Sequence, residues 1–211
     1  MTIWDITPPL SPRSPVFPGD EPFSVSWRSR AADGSGANVS AISLSPHDGA
    51  HVDAPLHLFD GAADAASLPL EPFLGECLVI DLSAEGRAGE DLIGPEALPA
   101  AGEPLPPRVL FKTRRRRRLR WTMAFRAFAP ALVEALLARG VRLAGTDAPS
   151  IDPADSEALP SHRLALADGL FILENLELSA VPAGRYRLTA LPLALSGAEA
   201  SPVRAVLEPL R

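Results

Sequence analysis

The segment that decides how this chain folds is residues 47–57, which read HDGAHVDAPLH. Gly49 and Pro55 interrupt any helix that would run through it, because glycine is a poor helix former and proline removes a backbone donor. The segment therefore predicts the end of a strand that passes into a tight loop. In an extended strand, residues two apart point to the same side, so His51 and Asp53 face one volume.

Strands predominate on both sides of that segment. Residues 23–28 (FSVSWR) and 39–44 (VSAISL) alternate apolar and polar side chains, which predicts two half-buried strands. The turn-forming residues 33–38 between them predict a hairpin. Further strands are predicted at residues 77–82, 109–111, 141–145, 170–173 and 185–193.

The clearest helix is predicted over residues 128–139 (FAPALVEALLAR), where Pro130 suits the first turn and Gly140 ends the helix. The 211 residues contain no repeats and no obvious linker, and their length suits one domain. We therefore expect a single mixed α/β (α+β) domain, rich in strand, over residues 1–211.

Composition and charge exclude several classes of protein. The chain has 20 Lys and Arg against 26 Asp and Glu, and its net charge of −6 argues against a general nucleic-acid binder. No stretch approaches the roughly 20 apolar residues of a membrane helix. The opening residues lack the basic and apolar regions of a signal peptide, so a cytoplasmic protein is expected. Cys77, the only cysteine, lies in an apolar run and is predicted to be a buried structural thiol.

The histidines belong to a pattern that includes two carboxylates. His47 joins His51 and Asp53 if the chain turns at the glycine between the two histidines. Two imidazoles and one carboxylate match the ligand set of catalytic zinc, although manganese or cobalt would suit similar ligands. His162 and Glu174 add donors for a second metal if a carboxylate bridges. Taken alone, His162 also fits a core histidine, and Asp53 also fits a turn.

Together these segments resemble the bacterial kynurenine formamidases, within the wider family of metal-dependent cyclase-like hydrolases whose signature is His-x-Gly-Thr-His-x-Asp-x-Pro-x-His. The likeness covers nearly the whole chain. Besides the signature at residues 47–57, it includes residues 4–20 (WDITPPLSPRSPVFPGD), 140–162 (GVRLAGTDAPSIDPADSEALPSH) and 169–178 (GLFILENLEL). The signature marks the wider family, and the other segments point to the formamidase branch.

The resemblance implies a site with two zinc ions per subunit. One zinc would be bound by His47, His51 and Asp53, with Asp53 also reaching the second zinc. His162 would bind the second zinc, and Glu174 would bridge the two. The implied fold is a strand-rich β/β/α domain of the cyclase-like hydrolase type, active as a homodimer.

The resemblance also implies the reaction, which is zinc-dependent hydrolysis of N-formyl-L-kynurenine to L-kynurenine and formate in tryptophan degradation. His57 falls at the family's acid/base position, and Phe17 falls where an aromatic residue contacts the substrate. Two rivals stay open. One is another hydrolase of the family that acts on a cyclic amide such as isatin, and the other is a metal-binding protein without catalysis.

Three features depart from the family pattern. Ala50 stands where the signature has threonine, which removes a hydroxyl that could orient a ligand; this is the main argument for the non-catalytic rival. Asp48 adds a carboxylate between two ligands, although its side chain could simply face solvent. Residues 114–118 are consecutive arginines. They suit a solvated surface loop, or a basic patch that attracts a substrate carboxylate or an acidic partner.

Overall fold

A computed structural model describes residues 3–84 and 92–210. In that part of the chain a nine-stranded mixed sheet carries the fold, accompanied by a two-stranded hairpin and two α-helices. The elements are β1 (Trp4–Asp5), β2 (Ser24–Ser29), β3 (Val39–Ser43), β4 (His51–Asp53), β5 (Leu74–Asp81), β6 (Arg108–Lys112), α1 (Pro130–Ala138), β7 (Leu143–Thr146), α2 (Pro160–Ala167), β8 (Phe171–Glu174), β9 (Gly184–Thr189), β10 (Ala200–Pro202) and β11 (Val206–Pro209).

The strands of the main sheet lie in the order β1-β11-β9-β5-β6-β7-β8-β4-β10. The central strands β5, β6, β7 and β8 are parallel to one another, and the remaining pairs are antiparallel. The steps from β6 to β7 and from β7 to β8 pass through α1 and α2, because parallel strands need a crossover connection. This strand-rich arrangement confirms the predicted mixed α/β fold class.

Both faces of the central sheet are buried. In β6, Val109 and Phe111 pack on the side of the helices with Leu132 of α1. Leu110 packs into the cluster on the opposite face with Leu143. The sides alternate because successive side chains of a strand point to opposite faces. Full burial of one such side chain stabilises the folded chain by about 1.5–3 kcal/mol. The two clusters therefore hold β4 and β8 in place.

The predicted helix over residues 128–139 is α1, and Gly140 after it has a φ of +75°. This left-handed conformation favours glycine and ends the helix. Helix α2 is absent from the predictions, because its eight residues are much less apolar than those of α1. Within residues 3–84 and 92–210, no helix is long and apolar enough to cross a membrane.

The predicted hairpin is confirmed, since β2 and β3 pair antiparallel with Val25 opposite Ile42. The prediction that its strands are half-buried is wrong, because Trp27 is 49% exposed and Ile42 is 64% exposed. The apolar and polar residues do alternate. However, the hairpin forms a sheet of its own instead of joining the main sheet, so both of its faces remain largely exposed.

Other strand predictions are right in place and wrong at their ends. Strand β7 covers Leu143–Thr146 where residues 141–145 were expected, and β9 covers Gly184–Thr189, which is shorter than residues 185–193. Pro192 lacks a backbone N–H and cannot continue the ladder of β9. It forms only an isolated bridge to Val203.

Candidate metal centre

The signature segment enters the main sheet as β4, beside β8. The two strands are antiparallel, and His51 lies directly opposite Glu174. Ala50 and Val52 point away from this pair, into the core cluster on the opposite face. Alternation along the strand therefore places His51 and Asp53 together on the other side.

Two departures from the family signature now have a structural position. Ala50 packs into the core with Val52, on the face opposite the candidate ligands, so a hydroxyl at that position would not point at His51. Asp48 does not face solvent: it is buried, and its Oδ2 accepts the backbone N–H of Phe23 at 3.1 Å. Burial raises the pKa of Asp48.

The structure brings all five predicted ligands into one cluster, in which each carboxylate lies between histidines. Asp53 Oδ1 is 3.2 Å from His47 Nδ1, and Asp53 Oδ2 is 3.5 Å from His162 Nε2. Glu174 Oε2 is 3.3 Å from His51 Nε2, and Glu174 Oε1 is 3.2 Å from His162 Nε2. Both carboxylates thus present one oxygen to each side of the cluster.

The described residues offer two sets of ligand atoms, each within 4.8 Å of one another: His47, His51 and Asp53, and Asp53, His162 and Glu174. His51 Nε2 and both oxygens of Asp53 are buried without a hydrogen-bond partner. Imidazole nitrogens lie 3.2–3.5 Å from the Asp53 oxygens and attract them, but they are not aligned to donate hydrogen bonds. An unpaired buried polar group costs roughly 1–3 kcal/mol, and a cation would satisfy all three atoms.

The charges of the cluster stabilise one another. Burial opposes the protonated ring of His51, but Glu174 and Asp53 outweigh it and raise the pKa of His51 to about 9. Burial also opposes a charge on His162, while Glu174 and Asp152 raise its pKa well above the ordinary value. The histidines lower the pKa of Asp53 and of Glu174 against the effect of burial. Metal binding requires neutral imidazoles, so a cation would displace these protons.

Asp152 contacts the ring of His162 on the side away from the cluster, and no pattern in the sequence points to Asp152. Asp152 Oδ2 lies 2.7 Å from His162 Nδ1 and accepts the backbone N–H of His162 at 3.0 Å. Because an ionised carboxylate only accepts hydrogen bonds, Nδ1 is the donor and Nε2 is free to face the cluster. Asp152 does lie within the segment 140–162 that resembles the family. Sequence spacing alone does not reveal that this loop returns to the helix that carries His162.

Gly49 makes the turn between the two histidines at 47 and 51. Its φ is +71°, and a Cβ at this position would lie 2.6 Å from Cδ2 of Leu10. Only glycine avoids both the strained backbone and the close contact. The carbonyl of Gly49 also lies 2.9 Å from Nδ1 of His51, which directs the Nε2 atom toward the carboxylates.

His57 ends the short 3₁₀ helix Pro55–His57 that follows β4. Its ring centre lies 4.6 Å from that of His47 and 6.1 Å from that of His162, yet His57 belongs to neither set of ligand atoms. Burial lowers the pKa of His57, and the neighbouring His47 and His162 lower it further against the charge of Asp53. This environment favours the neutral ring, which can accept a proton.

A cleft of about 440 Å³ opens in front of the cluster. Phe17 lies at its wall, 48% exposed, and Trp121 packs edge-to-face against Phe17 with ring centres 5.1 Å apart. The two rings form an aromatic wall suited to a planar aryl group. Trp121 escaped prediction because nothing in its local sequence links it to Phe17.

The arginine run divides between surface and interior. Residues 115–117 are exposed, whereas Arg114 and Arg118 are partly buried. Arg114 Nη1 donates to the backbone carbonyl of Asp147. The prediction of a solvated loop is therefore right for the three middle arginines and wrong for the outer two.

Known proteins share this architecture. A family model described as putative cyclase matches residues 4–153. Kynurenine formamidase of Bordetella avium is 51% identical over 209 residues, which is 99% of this chain and 98% of that protein. A solved structure titled potential metal-dependent hydrolase with cyclase activity has a TM-score of 0.81 and 30% identity, covering 99% of both chains. Isatin hydrolase A from Labrenzia aggregata has a TM-score of 0.77 and 23% identity, covering 98% of this chain and 93% of that one.

The chain belongs to the cyclase family, since the family model matches well over half of its length. Within that family it belongs with the kynurenine formamidases, which confirms the family and the class of amide hydrolase expected from the sequence. The donor cluster, together with the metal-dependent hydrolase of similar structure, indicates a metal cofactor. The likeness to isatin hydrolase A concerns the fold alone.

Proposed function

We propose that this protein hydrolyses N-formyl-L-kynurenine to L-kynurenine and formate in tryptophan degradation. The observation that carries the proposal is the convergence of three histidines and two carboxylates at an aromatic-walled cleft, with a fourth histidine beside them. Relatives with 48–51% identity over nearly the whole chain bear the name kynurenine formamidase, which supports this choice of substrate.

We propose further that the cluster binds two zinc ions, because zinc favours mixed imidazole and carboxylate ligands. The proposed ligands are His47, His51, Asp53, His162 and Glu174. When bound, such ions supply a Lewis acid and a water of lowered pKa, so that hydrolysis begins near neutral pH.

The residues around the cluster would transfer the proton and bind the substrate. His57, neutral and next to the ligands, would take the proton of the attacking water. An anilide nitrogen is a poor leaving group, so His57 would then deliver that proton to the nitrogen as the C–N bond breaks. Phe17 and Trp121 would contact the aryl ring. The formyl carbon carries only hydrogen on its acyl side, so a close wall there would exclude larger acyl groups by size.

The proposed function is tested by formate release from N-formyl-L-kynurenine, measured before and after chelation and after addition of zinc, manganese or cobalt. We expect loss of activity on chelation and recovery with zinc. Isatin in a parallel assay discriminates the nearest rival. Hydrolysis of isatin alone would replace the proposed substrate, and bound zinc without hydrolysis of either compound would favour the non-catalytic rival.

Two further predictions stay open beside this function. A homodimer is expected from the family, and the exposed apolar residues Trp27 and Ile42 of the hairpin offer one surface for it. Light scattering on the purified protein measures that state directly. Residence in the cytoplasm also stays a prediction.

A further inference from the structure

A second, smaller cavity of about 30 Å³ lies beside the cleft. Three arginines of the run contribute to its lining: Arg114, Arg117 and Arg118. Pro15 and Asn175 line both the cavity and the cleft, so the two spaces share a wall. The cavity is too small for a whole aryl formamide, but it suits a small charged group.

Some nitrogens of the guanidinium groups around this cavity have no hydrogen-bond acceptor. Arg114 Nη2 donates to the carbonyl of Leu176 at 3.4 Å, and Arg117 Nη2 donates to the carbonyl of Pro9 at 3.4 Å. By contrast, Arg114 Nε and both Nε and Nη1 of Arg118 are buried without a hydrogen-bond partner. An arginine only donates hydrogen bonds, so each of these three nitrogens lacks the acceptor with which it could pair.

The charges nearby leave the cavity positive. Of the two carboxylates close to the three arginines, Asp147 already accepts hydrogen bonds from the backbone N–H and hydroxyl of Thr113 and from the backbone N–H of Arg114. Glu177 lies 3.9 Å from Nε of Arg117. Burial and the adjacent charge of Arg114 lower the pKa of Arg118 to about 10, which still leaves it charged near pH 7. Three positive charges thus face two negative ones.

We propose that Arg118, together with Arg114 and Arg117, forms a subsite for a carboxylate beside the cleft. The inference rests on the proposed function, because N-formyl-L-kynurenine carries a carboxylate on the side chain remote from its formyl group. Arginine donors suit a carboxylate acceptor. Trp121 of the cleft wall lies three residues after Arg118, so one loop would contact both the ring and the carboxylate of the substrate. Formate, the proposed product, presents the same chemical group.

The test compares two substrates of the zinc-loaded enzyme. One is N-formyl-L-kynurenine, and the other is ortho-formamidoacetophenone, which keeps the aryl formamide and lacks the amino-acid group. We expect Arg118→Gln to lower the ratio of their kcat/KM values roughly 10- to 100-fold, mainly through KM for N-formyl-L-kynurenine, because a charge-assisted hydrogen bond is lost. Arg118→Lys, which keeps the charge, should restore part of the ratio.

The matched control is Arg115→Gln, the same change at an exposed position of the same run. It should keep the wild-type ratio. Equal ratios in wild type, Arg118→Gln and Arg115→Gln would show that the substrate carboxylate does not bind there, while leaving the formamidase proposal intact. A wild-type enzyme that hydrolyses neither formamide would overturn both.

A last experiment distinguishes the substrate carboxylate from free formate as the group that binds there. Sodium formate is added during hydrolysis of ortho-formamidoacetophenone, with sodium chloride at equal ionic strength as reference. Formate inhibition that Arg118→Gln weakens, without a change in the substrate ratio, would assign the subsite to free formate. A changed ratio with unchanged formate inhibition would assign it to the substrate carboxylate. If Arg118→Gln changes neither quantity, no carboxylate binds there.

Discussion

Asp152 and His162 form a buried pair, with Asp152 Oδ2 lying 2.7 Å from Nδ1 of the histidine and leaving Nε2 to face the candidate ligand cluster. We predict that Asp152→Asn lowers zinc affinity about 10- to 100-fold, the usual effect of removing a carboxylate behind a histidine ligand. Competition with a chromogenic chelator measures the affinity. Asp155→Asn, at an exposed position nearby, should leave it unchanged. Equal affinities for the two variants would mean that Asp152 does not position His162 for metal.

The role proposed for His57 separates metal binding from proton transfer. We predict that His57→Gln retains the zinc content of the wild type, because His57 lies outside both sets of ligand atoms. Its kcat should fall about 100- to 10,000-fold, as expected for loss of a general acid and base. Metal analysis and formate release on the same sample check both points. Loss of zinc would make His57 a ligand, and unchanged turnover would remove it from the reaction.

Gly49 allows a prediction about stability with an internal control. Gly61 also has a positive φ, of +74°, but a Cβ there would meet nothing within 4 Å. Gly61→Ala should therefore cost only the left-handed backbone, about 1–2 kcal/mol. Gly49→Ala should lower the free energy of unfolding by about 1–3 kcal/mol more, because its methyl group would overlap Leu10. Urea denaturation of both variants measures the difference, and equal losses would show that Leu10 moves aside freely.

The cysteine prediction is confirmed, since Cys77 is a buried free thiol, and burial raises its pKa against the opposing charge of Arg108. We predict almost no reaction with a thiol reagent at pH 8 in the folded protein and one reactive thiol per chain in denaturant. The ordinary thiol pKa is about 8.5. Above that pH the unfolded chain loses a proton that the folded chain keeps, so the free energy of unfolding should fall as pH rises. Rapid labelling of the native protein would contradict this.

The sequence predicted the part of the site whose geometry is local. His51 and Asp53 lie two residues apart in a strand, and the strand period alone places them on one side. His162 and Glu174 required the family resemblance, because their approach to β4 depends on how β8 and α2 pack. Asp152 and Trp121 were missed for the same reason, since their partners are distant in sequence or lie on another loop.

The fold predictions were wrong where the apolar pattern of a segment did not determine what that segment packs against. Residues 23–28 and 39–44 alternate as a half-buried strand does, yet their hairpin stands apart from the main sheet. Helix α2 also begins with a proline, Pro160, and has a glycine of positive φ, Gly169, just beyond its end, but its residues are much less apolar than those of α1. The correct predictions rested on residues that lie close together in the sequence.

The two faces of β4 limit how this segment can change over evolutionary time. Ala50 and Val52 belong to the core, and His51 and Asp53 belong to the other face. One inserted or deleted residue would exchange those faces for everything beyond it, placing a ligand in the apolar core. A core side chain of the segment such as Val52 can therefore be exchanged for another apolar one, but the length of the segment cannot change. Its spacing is set by the sheet as firmly as by any metal.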